Sequence, residues 1–290
     1  MKPATKYLLT LMLLGLAATA MAQGPPPFET RKITDNVYIF RYQNHQSMFV
    51  VTPEGVIATD PIAFLRPEAA TAYLAEIRRI TRAPIKYLIY SHHHYDHIAG
   101  GKPFKDAGAR VVAHRNAKVR LEALRHPAVV LPDIAVDDKF VIELGGTRLE
   151  LIYVGRNHSD NSLAMLLPKE KLLFTVDFLP IRQVHFRNLP DGYLPDWFDS
   201  FDRVLELNWD HMIPGHPTAD GRLGTKNDVR ELKQYTTDLS DAAKEAASRG
   251  KCFDAAMKEI KLPKYEKWAN YDLYLPGNIE RFCEYWGRGY

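Results

Sequence analysis

Residues 91–97 read Ser-His-His-His-Tyr-Asp-His and directly follow the apolar run Ile85–Tyr90, which predicts a buried strand. This H-x-H-x-D-H pattern brings His92, His94 and His97 together with Asp96 at the end of that strand. Imidazole and carboxylate groups are the side chains that zinc and iron bind in proteins. So dense a group suits two metals better than one, and the segment therefore predicts half of a binuclear site.

Three further polar side chains follow predicted strands and could complete such a site. His158 stands in the polar loop 155–161, Asp177 directly follows the strand 172–176, and His216 follows the short strand 211–213 through Pro214-Gly215. The carboxyl ends of strands in one sheet edge converge in space, and functional loops are commonly built there. We therefore expect these three side chains to lie close to residues 92–97.

The order of the predicted elements indicates a two-layer sheet structure. Strands with an occasional helix occur twice along the chain, once before the His-rich segment and once after residue 139, which predicts two sheets packed face to face with helices outside. From Thr225 onward the pattern changes to helices, a long one first and then short ones at 253–260 and 279–286. Thr225 and Asp228 form a candidate capping box for the long helix.

Taken as an ordered set, these motifs resemble those of the metallo-β-lactamase superfamily, over about residues 35–220. The resemblance implies an αββα sandwich of two mixed β-sheets, with the C-terminal helices as an extension. It also implies a first metal held by three side chains, a second held by three others, and a carboxylate that bridges the two. In this chain, these seven ligands are His92, His94 and His158, then Asp96, His97 and His216, and Asp177 as the bridge.

The chain departs from the family pattern at two positions. Val176 precedes the bridging Asp177 where the family often has glycine, and Gly155-Arg156-Asn157 leads to His158 in place of the usual Gly-His-Thr type. His158 stays the expected ligand because no other histidine lies between His126 and His185. His45, His114, His126 and His211 have no motif around them, so we do not expect them at the site.

The ligand set implies a metal-dependent hydrolase, with two zinc ions expected and iron or manganese as alternatives. A hydroxide shared by the metals would attack an ester, thioester, lactone or lactam carbonyl, with Asp96 orienting it and moving a proton. Asp177 makes the set resemble that of glyoxalase-type thioesterases and disfavours β-lactamases with a cysteine ligand. A β-lactamase with only His and Asp ligands, an iron-dependent oxidoreductase similar to persulfide dioxygenases, and a binding protein with a vestigial site remain alternatives.

Side chains shortly after Asp177 are candidates for the substrate wall. His185 follows the bridging position closely, and Tyr193 and Trp197 stand in a polar, proline-containing segment. The substrate itself is expected to be a small molecule. No basic stripe occurs that would indicate nucleic acid.

The first 22 residues predict a secretory signal peptide. Lys2 and Lys6 precede an apolar run, and Ala20-Met21-Ala22 is a small-x-small cleavage signal. The rival interpretation is an uncleaved anchor, although the run is short of the roughly 20 residues that a membrane span needs. Removal of this leader gives a catalytic domain over 23–224 and a helical extension over 225–290, both in the periplasm or outside the cell.

Two observations on the extension leave alternatives open. The chain has two cysteines, Cys252 and Cys283, and an exported protein could hold them as a disulfide or as free thiols. The aromatic residues near the C-terminus are expected to pack the extension onto the catalytic domain, with a ligand-binding or dimerising surface as the other possibility.

Overall fold

A computed structural model describes residues 27–289, in which two β-sheets pack between layers of helices. The predicted leader, residues 1–22, lies outside the described residues. The first sheet has its strands in chain order. They are β1 (Phe28–Lys32), β2 (Val37–Tyr42), β3 (His45–Thr52), β4 (Gly55–Thr59), β5 (Ile85–Ile89), β6 (Arg110–His114) and β7 (Ile134–Val136). Strands β1 to β4 pair antiparallel and β4 to β7 pair parallel, so this sheet is mixed.

The second sheet is mixed as well. Its strands are β8 (Lys139–Leu144), β9 (Thr147–Tyr153), β10 (Leu163–Leu167), β11 (Leu172–Thr175) and β12 (His211–Pro214). The spatial order is β12-β11-β10-β9-β8, and only the β11–β12 pair is parallel. Strands β10 and β11 are fully buried, which agrees with their continuous apolar sequence.

Helices cover the outer face of each sheet. They are α1 (Glu68–Ile80), α2 (Tyr95–Ile98), α3 (Lys102–Asp106), α4 (Arg115–Leu124), α5 (Leu194–Glu206), α6 (Lys226–Ser248), α7 (Asp254–Glu259) and α8 (Tyr271–Arg288). A central core lies between the two sheets. A second core lies between the first sheet and α1, α3 and α4, and a third between the second sheet and α5, α6 and α8. The predicted sandwich of two mixed sheets with outer helices is confirmed.

The largest differences from the sequence prediction are at the two ends of the described chain. Strand β1 was not predicted, because its sequence Phe-Glu-Thr-Arg-Lys has only one large apolar residue; it forms through backbone pairing with β2. The short helix predicted at 279–286 is the second half of α8, which begins at Tyr271 although Pro276 lies inside it. Pro276 lacks only one N–H, and buried Leu275 and Ile279 on either side hold the turn against the core.

The C-terminal extension packs on the second sheet, as expected from its aromatic residues. Tyr271 and Phe282 belong to the third core. Cys252 and Cys283 are free thiols, and the Cys252 Sγ lies 3.9 Å from the carbonyl oxygen of Cys283. The extension therefore depends on apolar packing and helix capping for its attachment.

The predicted capping box is present at the start of α6, and we expect its loss to destabilise the extension. The carboxylate of Asp228 accepts hydrogen bonds from the Thr225 N–H and hydroxyl at 2.8 and 2.7 Å, and from the Arg222 guanidinium at 2.6 and 2.9 Å. We predict that Asp228→Ala lowers the free energy of unfolding by about 2 kcal/mol. Urea titration checks this, with Glu245→Ala on the exposed face of α6 as a control that changes little.

The same contacts make this contribution dependent on pH. Burial alone would raise the pKa of Asp228, but the hydrogen bonds from Arg222 and Thr225 outweigh it and hold the pKa below its usual value. The stabilisation is therefore present at neutral pH and is lost as the pH falls below about 4. An Asp228→Ala effect of equal size at pH 7 and at pH 3 would contradict this assignment.

Candidate metal centre

The polar side chains predicted from the sequence meet at one edge of the two sheets. His92, His94, Asp96 and His97 come from the turn and short helix after β5, where the chain leaves the first sheet. The remaining three come from the second sheet, in the loops after β9, β11 and β12. These are His158, Asp177 and His216. The structure brings all seven together, and they form two adjoining groups.

The first group consists of His92, His94, His158 and Asp177, whose candidate ligand atoms all lie within 4.8 Å of one another. The His158 Nε2 is 3.0 Å from the His94 Nδ1. The Asp177 Oδ2 is 3.4 Å from the His158 Nε2 and 3.6 Å from the His92 Nε2. Three imidazoles and one carboxylate at these separations can surround a single tetrahedral ion.

The second group contains Asp96, His97 and His216, together with His45, again within 4.8 Å. The Asp96 Oδ2 is 3.3 Å from the His97 Nε2 and 3.2 Å from the His45 Nε2. His45 was not expected here, because no motif surrounds it in the sequence. It is the first residue of β3, and the β2–β3 hairpin brings it to the site from a distant part of the chain.

Asp177 lies between the two groups. Its Oδ2 is 3.2 Å from the His97 Nε2, and its Oδ1 is 3.0 Å from the His216 Nε2. Its backbone has a φ of 66°, which turns the chain sharply after β11. The preceding Val176 fits because Gly215 packs against it; a Cβ on Gly215 would lie 2.6 Å from the Val176 Cγ1. The lack of a side chain at Gly215, directly before His216, thus leaves the space that the Val176 side chain occupies.

The ionisation states of these groups follow from burial and from their neighbours. Burial would raise the pKa of Asp177, but the charges of His97 and His216 outweigh it and hold this pKa well below the usual range. Burial holds the pKa of His92 well below 6.5. Burial acts in the same direction on His97, yet Asp177 and Asp96 raise its pKa to about 9. Without another cation, His97 therefore supplies a positive charge beside the two carboxylates.

The donor atoms fit metal ions in two respects. The Nε2 atoms of His92 and His97 are buried and have no hydrogen-bond partner among residues 27–289, so an ion would satisfy both. In several of these histidines the second ring nitrogen has a hydrogen-bond partner in the protein, as is usual for metal ligands. The Nδ1 of His92 contacts the Ser91 Oγ at 2.9 Å, and the Nδ1 of His216 contacts the Asn44 carbonyl oxygen at 2.6 Å.

Asp191 has the same supporting role for His94, and sequence reasoning did not identify it. Its Oδ2 is 3.3 Å from the His94 Nε2, which leaves the His94 Nδ1 facing His158 and the first group. We predict that Asp191→Ala weakens metal binding by the first group roughly 10- to 100-fold. A competition titration against a chromogenic chelator checks this, with exposed Asp199→Ala as the control. An unchanged affinity would show that Asp191 does not orient His94.

A cavity of about 740 Å³ opens above both groups and is lined by His94, Asp96, His158, Asp177 and His216 among others. The three side chains predicted for its wall do not line it. His185 and Trp197 are each 1% exposed, and their rings pack against one another at an angle of 55°, with Trp197 next to His158. Tyr193 lies in a separate cleft beside Arg156 and Asp196.

The cavity wall is formed instead by apolar side chains that the sequence did not single out. Phe64 and Leu65 come from the loop before α1, Phe186 from the loop after β11, and Tyr274 from α8. Nothing in the sequence distinguishes these residues from core residues; the structure shows them as exposed large apolar side chains, with Leu65 85% and Phe186 48% exposed.

Comparisons with known proteins agree with this arrangement. The model of the metallo-beta-lactamase superfamily matches residues 44–216. The α subunit of 2,4-dinitroanisole O-demethylase from Nocardioides sp. is 26% identical over 194 residues, which are 66% of this chain and 58% of that protein. A type 2 metallo-beta-lactamase from Elizabethkingia meningoseptica is 22% identical over 79% of this chain and 95% of its own.

Among solved structures, an inverting sec-alkylsulfatase from Pseudomonas sp. superposes with a TM-score of 0.74. It is 16% identical, and the match covers 89% of this chain and 50% of the other. At this identity the likeness concerns the fold. A match over 89% of this chain extends beyond residue 216, so part of the C-terminal extension has a counterpart in that structure.

Proposed function

Because the chain belongs to the metallo-β-lactamase superfamily, we propose that it is an exported hydrolase that uses two zinc ions to cleave an ester, thioester, lactone or lactam. The observation that carries the proposal is the position of Asp177, within 3.0 to 3.6 Å of His92, His97, His158 and His216. One carboxylate in contact with both groups is what a bridge between two ions requires. Bound zinc lowers the pKa of a water ligand to about 7 and polarises a carbonyl group.

The side chains around the ions have separate roles in this proposal. Three imidazoles would hold the first ion, while Asp96, His97 and His216 would hold the second. Asp96 lines the cavity, and we assign its Oδ1 as the atom that orients the attacking water and accepts a proton. Burial would raise the pKa of Asp96, but the charge of His97 and the hydrogen bond to His45 outweigh it and lower this pKa. The carboxylate is therefore ionised and able to accept a hydrogen bond.

The lining of the cavity favours a substrate with an uncharged apolar group. Arg66 is the one Lys or Arg side chain among the described lining residues. Its guanidinium donates to the backbone carbonyl oxygens of Ile62 and Asp96 at 3.0 and 2.8 Å, so its hydrogen bonds hold the backbone beside the metal centre. The cavity therefore offers little positive charge to balance a substrate carboxylate that lies away from the metal centre. This disfavours β-lactam antibiotics as substrates.

A second candidate is cleavage at a carbon–oxygen bond of an alkyl sulfate or an aryl ether. The names of the relatives favour it, since they include a linear primary-alkylsulfatase and an O-demethylase. The apolar cavity would take an alkyl chain or an aromatic ring equally well. An iron-dependent oxidoreductase is the third candidate, and a single tightly held iron per chain would favour it.

A panel of substrates at one pH tests these candidates directly. It contains a naphthyl ester, an aryl thioester, an aliphatic lactone, nitrocefin, a secondary alkyl sulfate and an anisole. We expect turnover of the ester, thioester or lactone, with the metal-loaded protein and not with the chelated protein. Turnover of the sulfate or the anisole alone would replace the proposed reaction by the second candidate.

We predict that the aromatic pair at the cavity mouth sets the preference for apolar groups. The rings of Phe186 and Tyr274 pack edge to face with centroids 5.4 Å apart. Tyr274→Ala should lower kcat/KM for the naphthyl ester about 10- to 100-fold, as expected from the loss of one aromatic contact with the substrate. The kcat/KM for methyl acetate, which has no large apolar group, should change little. Leu273→Ala, 69% exposed on the same helix, is the matched control. Equal losses on both esters would contradict this role.

Export is part of the proposal and rests on the N-terminal sequence. In the part of the chain that the structure describes, no helix is both long and apolar enough for a membrane span. We expect the mature protein to begin at Gln23 in a periplasmic or culture fraction, which N-terminal sequencing would establish. Recovery of the intact N-terminus in the membrane fraction would support the uncleaved anchor.

A further inference from the structure

His45 occupies a position that the family pattern of seven ligands does not include. Its side chain is 7% exposed, and its Nε2 is 3.2 Å from the Asp96 Oδ2. Its ring centroid is 5.0 Å from that of His97 and 4.4 Å from that of His216. The ring therefore lies against all three side chains assigned to the second metal.

The two nitrogens of His45 have different surroundings. The Nδ1 is 2.9 Å from the Oδ1 of Asn44, a distance at which the ring N–H can donate to the amide oxygen. In the neutral tautomer with the proton on Nδ1, the Nε2 has a lone pair that can bind a cation. This nitrogen is 3.2 Å from the Asp96 Oδ2, so a cation placed beside both atoms would be bound by an imidazole and a carboxylate.

The distances match those of two ligands on one ion. Ligand atoms about 2.1 Å from a metal, at angles of roughly 90° to 109°, are roughly 3.0 to 3.4 Å apart. The Asp96 Oδ2 is 3.2 Å from the His45 Nε2 and 3.3 Å from the His97 Nε2. The Nδ1 of His45 is held by Asn44 in the way that the Nδ1 of His216 is held by the same residue's carbonyl. His45 thus has the geometry and the outer support of the neighbouring ligands.

We infer that His45 is a fourth side-chain ligand of the second metal ion, beside Asp96, His97 and His216. The inference rests on the proposed two-metal centre and adds a ligand to it. With Asp177 as the bridge, the second ion has five protein donors and the first ion has four. The two positions are therefore unequal, and the second favours an ion that accepts more than four ligands.

The test is the metal content and the affinity for the second ion in the full-length, metal-loaded protein. The variants are His45→Ala, His45→Gln and, as a matched control, His211→Ala at an exposed histidine of β12. We expect two ions in wild type and in His211→Ala. His45→Ala and His45→Gln should both keep one ion and bind the other at least roughly 100-fold more weakly, which exceeds the usual effect of an outer-shell residue.

The glutamine variant separates a ligand from a hydrogen-bond partner. Its amide can still donate to Asp96, so wild-type affinity for two ions in His45→Gln would overturn the inference and leave His45 as a positioning residue. The ion retained by the first group reports that each variant is folded. Fewer than two ions in wild type would instead overturn the proposed two-metal centre itself, so the two failures are distinct.

Discussion

Asp177→Asn should lower kcat/KM by roughly three orders of magnitude or more, because the variant keeps the size of the side chain and removes its charge. The two ions and the four surrounding histidines would then lose the one anion that contacts both groups. Metal ions contribute several kcal/mol to transition-state stabilisation, and each 1.36 kcal/mol corresponds to about a factor of ten. Steady-state kinetics on the best substrate of the panel measures this loss.

The control for this variant is Asp210→Asn, an exposed aspartate before β12 whose carboxylate lies 3.5 Å from the Lys171 Nζ. It should retain wild-type activity. The metal content of Asp177→Asn should fall together with its activity. If this variant keeps more than a tenth of the activity, Asp177 does not bridge the metals and the assignment of the two groups is wrong.

Removal of the metals should inactivate the protein and lower its Tm by about 10 °C. A ligand present at a thousand times its Kd stabilises the folded state by about 4 kcal/mol. For a chain of this length, 1 kcal/mol corresponds to roughly 2 to 4 °C. Without the metal ions, the buried carboxylate of Asp177 loses the cations that neutralise its charge. The buried Nε2 atoms of His92 and His97 also lose their ligand bonds and have no hydrogen-bond partner among the described residues to replace them.

Differential scanning fluorimetry with and without a strong chelator measures this shift. Zinc should restore both Tm and activity, whereas manganese or iron as the better restoring ion would identify the resident metal. Asp177→Asn serves as the internal control, since its Tm should respond little to the chelator. A chelated protein that keeps its activity would exclude the proposed metal chemistry.

Much of the site could be predicted because its residues are local in sequence or end a recognisable strand. His92, His94, Asp96 and His97 stand within six positions after a strongly apolar strand, and Asp177 ends another. His158, Asp177 and His216 follow strands of the second sheet whose ends share one edge, so these three could be expected to meet. Residues 92–97 follow a strand of the first sheet, and the resemblance to a known family was needed to join them to the other three. The two-sheet sandwich follows from the same alternation of strands and helices.

The parts that the sequence did not reveal depend on long-range packing. His45 reaches the site through the register of the β2–β3 hairpin, and nothing around it in the sequence distinguishes it from a surface histidine. Asp191 lies in a loop whose path is set by tertiary contacts; the Arg281 side chain of α8 donates to the neighbouring Gly192 carbonyl at 3.1 Å. His185 and Trp197 follow Asp177 closely enough in the sequence to be expected at the edge of the cavity. In the structure both side chains are buried in the core instead.

The extension illustrates the same limit. Its helical pattern and capping box are local features, and both are present. Tyr274 lines the cavity because α8 packs against the loop after β11 and against α6. The Asn278 side-chain amide donates to the His185 carbonyl oxygen at 3.0 Å and accepts from the Tyr235 hydroxyl at 2.8 Å. These contacts fix the loop that carries Phe186, so the extension shapes the cavity that the catalytic domain alone would leave open.

The most direct test of the account is the number of metal ions per chain, measured by elemental analysis of the purified, desalted protein. Two adjoining groups of His and Asp ligands that share Asp177 predict two divalent ions per chain, both removed by a strong chelator together with the hydrolytic activity. One tightly held ion per chain, with activity that does not rise when a second equivalent is added, would contradict the two-metal centre.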